Sequence, residues 1–376
     1  MRAPGFVTRG QPAAIKAVRA MIVGQPPHAL LLGGPASVGK TTLALDLAAG
    51  LLCLDPDPAA RPCRACRSCR QIAGGNHPDL HRLAPEGPGG QVGIGQVRSL
   101  ATELALLPVE GSRRIAIVES AHRLNEDAQN AMLKTLEEPP PGTTLILCVE
   151  EEDRMLPTVR SRCARLRLGP VGTRDIELIL DERALADPPT GARLARLASG
   201  RPGIAVALAS APEAVSIRSE IGRQLVDLLG ARPAARLAAV RDLLARSAEL
   251  ARLIDLSLAS PSADPPALEA SPDERSPEAE VRAPAAERRR ALAILLDVWR
   301  DLARDLALVS LGDARRLHDP GQLEEIQAAS VGLREQAVAL FLRRLDRAGE
   351  QLDANVSPEL LADSLVLAWP RAEAAA

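Results

Sequence analysis

Apolar residues recur along this chain with two different periods, and each change of period marks a change of element. In residues 11–24, Ala14, Val18 and Ile22 fall four apart, which predicts a helix with one buried face. His28–Leu32 is instead a short apolar run ending at Gly33-Gly34, as expected of a strand buried in a parallel sheet. From Lys40 onward Leu43, Leu47 and Leu51 restore the helical spacing. Residues 95–107 and 124–138 predict two more helices, the second stopped by Pro139-Pro140-Pro141. Arg113–Val118, Leu145–Val149 and Ala164–Leu168 predict three further strands. Strands alternating with helices imply an α/β domain, a parallel sheet with helices on both faces.

After about residue 170 the strand pattern stops. Residues 173–208 predict a small helical unit and 213–258 two or three longer helices. Residues 259–287 are rich in Pro, Ala and acidic side chains and nearly free of large apolar ones, which predicts a disordered linker. Helical periodicity returns at 288–310, 321–353 and 357–368. The expected organisation is an α/β domain over 1–169, a helical segment over 170–210, and an all-α domain over 211–376 that contains the linker.

Composition narrows the function. The formal net charge is −2, so bulk electrostatics do not drive nucleic-acid binding, and any DNA contact needs a local patch. The only lysines are Lys16, Lys40 and Lys134, which makes a lysine at any given position informative. Met1–Gly10 has no apolar core of a signal peptide, and no run reaches the ~18 apolar residues of a membrane span, so a cytoplasmic protein is expected. Six cysteines in that compartment suggest metal ligation or buried thiols rather than disulfides.

One of those lysines closes a phosphate-binding loop. Gly34, Pro35, Ala36, Ser37, Val38, Gly39, Lys40 and Thr41 match G-x-x-x-x-G-K-[ST], followed by Thr42, between an apolar strand and a helix. Such a loop turns backbone N–H groups inward around phosphate, with a helix dipole behind them. Lys40 is placed to reach the β/γ-phosphates and Thr41 to offer its hydroxyl to Mg²⁺, so ATP with Mg²⁺ is the expected ligand. The strand that should carry the metal-orienting acid ends in Glu119-Ser120. Glu119 can stand near the metal, but Ser120 is no general base at neutral pH, which predicts binding without efficient hydrolysis.

Cys53, Cys63, Cys66 and Cys69 are spaced C-x9-C-x2-C-x2-C, and four thiolates so placed can close a tetrahedral structural zinc site. Arg61, Arg64, Arg67 and Arg70 surround them and are expected to favour the thiolates. His77 reads as a loop residue rather than a fifth ligand, and Cys148 as core. Arg162, in Ser161-Arg162-Cys163, is unremarkable on its own.

Taken together, PHALLLGGPASVGKTT (27–42), the four-cysteine insertion, NEDAQNAMLKTLEEPPPGT (125–143) and VRSRCARL (159–166) resemble the clamp-loader subunits of bacterial DNA polymerase III. The resemblance is strong over residues 10–170 and weaker in 352–370. It implies an AAA+ domain with a zinc module, a helical lid, and a collar that assembles a five-subunit ring with gamma/tau and delta subunits. It also implies work on the sliding clamp and on primer–template DNA, with helix 125–138 tracking the duplex backbone. By the same resemblance Arg162 becomes an arginine finger reaching the γ-phosphate held by a neighbouring subunit. Glu119-Ser120 replaces the motor subunit's acidic pair, Val149-Glu150 its polar sensor pair, and Gly203, beside Arg201, its sensor arginine. These departures imply a non-motor subunit that binds nucleotide as a structural ligand. The alternatives are the gamma/tau motor itself, a solitary nucleotide kinase with a zinc lid, and a purely structural ring component.

Overall fold

The computed structural model describes residues 5–85, 90, 92–258, 277–354 and 356–371. They form two compact units. One holds the described residues up to Ile179 together with Gly200–Gly203; the other holds the remainder.

The first unit is built on five parallel strands: β1 (Ala29–Gly33), β2 (Leu80–Leu83), β3 (Arg114–Val118), β4 (Thr143–Val149) and β5 (Ala164–Arg167). Their spatial order is β2-β3-β4-β1-β5. Helices α1 (Pro12–Val23), α2 (Lys40–Leu51), α3 (Arg67–Ala73), α4 (Ile94–Leu104), α5 (Glu126–Glu137) and α6 (Pro157–Arg160) connect and cover them. Side chains alternate across the strands, so each apolar run feeds two cores. Leu30, Leu32, Ile117, Ile146 and Cys148 pack with Val18 of α1 and with Leu43 and Leu47 of α2. Leu31, Ala116, Val118, Leu147 and Val149 pack with Leu100 of α4 and with Met132 and Leu136 of α5. Local chemistry sets the helix starts. Pro12 opens α1, where its missing N–H costs nothing, and the Asn125 side chain accepts from the Ala128 N–H at 2.8 Å to cap α5.

The helices after the sheet are α7 (Thr173–Glu182), α8 (Pro188–Leu197), α9 (Pro202–Ser210), α10 (Pro212–Asp227), α11 (Pro233–Leu258), α12 (Pro277–Ser310), α13 (Leu323–Ser330), α14 (Glu335–Asp353) and α15 (Pro358–Ala368). In the second unit Trp299 of α12, Phe341 of α14 and Trp369 meet with ring centroids 4.6–5.6 Å apart, in tilted and edge-to-face pairs. Arg236 of α11 is fully buried, and its guanidinium donates to the carbonyls of Leu229, Ala231, Trp369 and Pro370. These are carbonyls at and beyond helix ends, which have no partner within a helix.

Two elements differ from the sequence expectation. Leu80–Leu83 forms edge strand β2, which the apolar pattern does not announce. Of the expected linker, residues 259–276 lie outside the described residues, while 277–287 form the first turns of α12. The Ala, Glu and Arg content of that stretch favours a helix even without large apolar side chains. Among the described residues no helix is long and apolar enough to cross a membrane.

Candidate nucleotide and metal sites

The phosphate loop leaves the carboxyl end of β1, which lies between β4 and β5, while the chain next enters the sheet at its far edge as β2. Such a reversal of direction opens a crevice at the strand ends, where α/β sheets bind ligands. Gly34 has φ +144° there, and a Cβ on it would stand 2.3 Å from the Leu168 carbonyl oxygen, so no larger residue fits. Gly39, at φ +100°, turns the chain into α2.

Lys40 is buried. Its Nζ donates to the carbonyls of Gly34 at 2.8 Å and Pro35 at 2.6 Å, bracing the loop from within. Burial lowers its pKa, while the negative charge of Glu150, just past β4, opposes the shift. The Gly203 N–H donates to the Ser37 carbonyl at 3.0 Å, and a Cβ on Gly203 would meet Ser37 Cβ at 3.0 Å. Gly203 therefore touches the loop through its backbone. Glu150 also stands beside His122: its N–H points at His122 Nδ1 from 3.4 Å, and its carboxylate lies 3.9 Å from Nε2. The sequence marks Glu150 only within the Val149-Glu150 pair and does not single out His122, which belongs to no phosphate-loop motif and meets Glu150 only in the fold.

The metal side of the site is built differently. Glu119 extends the β3 ladder, its N–H donating to the Leu83 carbonyl at 2.8 Å. Its Oε1 accepts from Arg82 Nη2 at 2.6 Å and from Nε at 2.9 Å. Burial pushes the Cys148 thiol of β4 up to about 12. Ser120 follows Glu119 with φ +52° and offers no carboxylate. The loop thus fits a triphosphate, but Glu119, the carboxylate expected to orient Mg²⁺, is engaged by Arg82.

The four cysteines converge as expected. Their Sγ atoms all lie within 4.8 Å of one another, and Cys53 and Cys66 are 3.9 Å apart. A tetrahedron of ~2.3 Å zinc–sulfur bonds has edges of about 3.8 Å, so the residues fit zinc. N–H groups of Cys63, Cys66 and Cys69 point at the sulfurs of Cys53, Cys63 and Cys66 from 3.3–3.4 Å. Burial works against the Cys66 thiolate, but N–H groups from Cys69 and Leu54 outweigh it and bring the thiol down to about 7. Burial raises Cys53 and Cys69. The neighbouring arginines bind elsewhere: Arg61 donates to the Asp55 carbonyl, Arg64 to Asp46 and the Gly5 carbonyl, and Arg67 pairs with Glu110. Backbone amides, rather than the expected guanidinium groups, favour the thiolate. His77 is buried with Nδ1 accepting from the Asp79 N–H at 3.1 Å, apart from the sulfurs.

Arg162 follows α6. Its Nη2 lies 2.8 Å from Glu137 Oε1 at the end of α5, and its Nη1 donates to the Thr158 carbonyl at 2.9 Å. Its side chain is 36% exposed, enough for a guanidinium to be offered outward.

These features define an α/β domain with a phosphate-loop motif at the carboxyl end of a parallel sheet and a four-cysteine module. Residues 10–172 match the model of the family described as DNA polymerase III, delta subunit. The chain is 39% identical over 180 residues to DNA polymerase III subunit delta' of Pseudomonas aeruginosa, covering 47% of this chain and 54% of that protein. It is 34% identical over 194 residues to the subunit delta' of Bacillus subtilis, covering 52% and 57%. The chain thus matches a little over half the length of these relatives. A DNA polymerase III, gamma subunit-related protein from Thermotoga maritima aligns over 94% of this chain and 97% of its own, at 17% identity and TM-score 0.39.

Proposed function

We propose that this chain is the delta-prime subunit of a bacterial DNA polymerase III clamp loader. It holds nucleotide as a structural ligand and lends Arg162 to a neighbouring ATPase subunit. The observation that carries this reading is the contrast between two sites. The chain's own metal-orienting carboxylate, Glu119, is held by Arg82 and followed by Ser120, whereas Arg162 stands at the surface. A subunit so built is poor at splitting its own triphosphate and well placed to stabilise charge on another's. Its partners in this reading are gamma/tau and delta subunits in a ring, the sliding clamp, and primer–template DNA met through the backbone along α5. The cytoplasm is its compartment and zinc its structural metal.

Reconstitution tests the proposal. The isolated chain should turn over ATP negligibly with primed DNA and clamp present. Added to gamma/tau and delta, it should stimulate DNA-dependent hydrolysis. Arg162→Ala should abolish that stimulation, a loss on the order of 10³-fold at the site it serves. Vigorous turnover by the chain alone would favour the motor reading instead.

A further inference from the structure

The carboxylate that would orient Mg²⁺ already has a cation on it. Arg82 and Glu119 sit at the carboxyl ends of the paired strands β2 and β3, with Arg82 opposite Ile117 in the register. Two donors of one guanidinium converge on a single Glu119 oxygen, at 2.6 and 2.9 Å. A guanidinium stays charged at any working pH and presents its donors in a fixed fork. Magnesium needs near-ideal octahedral oxygen ligation and sheds its waters reluctantly. To use Glu119 it would have to displace Arg82 or settle beside a positive charge. The phosphate-facing parts, Gly34, Gly39 and Lys40, are intact.

We propose, resting on the nucleotide-binding reading above, that this site takes a nucleoside triphosphate free of divalent metal, with Arg82 supplying the positive charge beside Glu119. The site then selects the metal-free polyanion, whereas a hydrolysing P-loop selects its magnesium complex.

The test is a titration of the full chain with a fluorescent ATP analogue, followed by anisotropy, in magnesium chloride and in EDTA. Wild-type affinity should agree between the two media within about twofold. In Arg82→Ala, and in Arg82→Gln as a milder change, magnesium should tighten binding by about tenfold. Adding Glu119→Gln to Arg82→Ala should remove that gain. Circular dichroism confirms that each variant is folded; Arg82 is 40% exposed and supports no core. Tightening of the wild type by about tenfold or more in magnesium overturns the proposal, and so does indifference to magnesium in both Arg82 variants. Failure of the wild type to bind in either medium overturns the nucleotide-binding reading itself, and this proposal with it.

Discussion

Arg64, in the turn between Cys63 and Cys66, donates through Nη2 to Asp46 on the inner face of α2. The Asp46 carboxylate is almost wholly buried, and it also accepts from the Thr8 hydroxyl at 2.6 Å and from the backbone N–H groups of Val7 and Thr8. One carboxylate therefore ties the cysteine module and the residues before α1 to the helix that opens with Lys40. Asp46→Ala should cost about 3–5 kcal/mol, because it strands a guanidinium and three other donors. Urea unfolding followed by far-ultraviolet circular dichroism checks this; a loss below ~1 kcal/mol would show that the node is not structural.

Metal analysis of protein purified without chelator should find about one zinc per chain. Cys66→Ser should lower that occupancy. It should also broaden the thermal transition of the first unit, since α3 begins directly after Cys66. Full stability without metal would contradict a structural role.

Arg162→Ala should leave the fold untouched. Its ion pair with Glu137 is half-exposed on both sides, and such pairs contribute within about 0.5 kcal/mol. Loss of ATPase stimulation in a variant of unchanged melting behaviour then reports chemistry and not unfolding. Glu137→Gln should likewise keep stability within ~0.5 kcal/mol.

Arg236→Met should destabilise the helical unit by about 3 kcal/mol or more, because the carbonyls it serves would lose their donor in a dry site. Calorimetry reads this directly.

The same unit should respond to pH through His318. A hydrogen bond from its Nδ1 to Asp305 at 2.7 Å raises its pKa above the ordinary 6.5, against a smaller opposing effect of burial; Asp301 raises it further and Arg304 opposes. A group whose pKa is higher in the folded state stabilises it fully below the unfolded value. That contribution is lost as pH climbs through the folded value. Stability should therefore fall as pH rises past about 6.5, and His318→Gln should flatten the profile. A rise in stability over that window in the wild type would contradict the assignment.

The residues that carry chemistry in unbroken motifs were legible in the sequence. The phosphate loop needs a strand, a glycine-rich turn and a helix in succession, and the four cysteines need only close spacing, so both survive without tertiary knowledge. β2 was not legible, because Leu80-His81-Arg82-Leu83 offers two apolar residues on a half-exposed edge. Its only signals are two leucines and the flanking Pro78 and Pro85. Missing that strand hid Arg82, and with it the partner that changes the meaning of Glu119. The arginines near the cysteines misled in the opposite direction. Proximity in sequence suggested electrostatic help to the thiols, yet Arg64 and Arg67 reach carboxylates on other segments.

The aromatic trio of the second unit has an optical consequence. The chain has no tyrosine, and both of its tryptophans, Trp299 and Trp369, belong to that cluster. Tryptophan emission therefore originates in the helical unit alone, and the phosphate-loop unit contributes no tryptophan signal of its own. A tryptophan introduced at an exposed position of the first unit, such as Leu107, would give it a voice of its own.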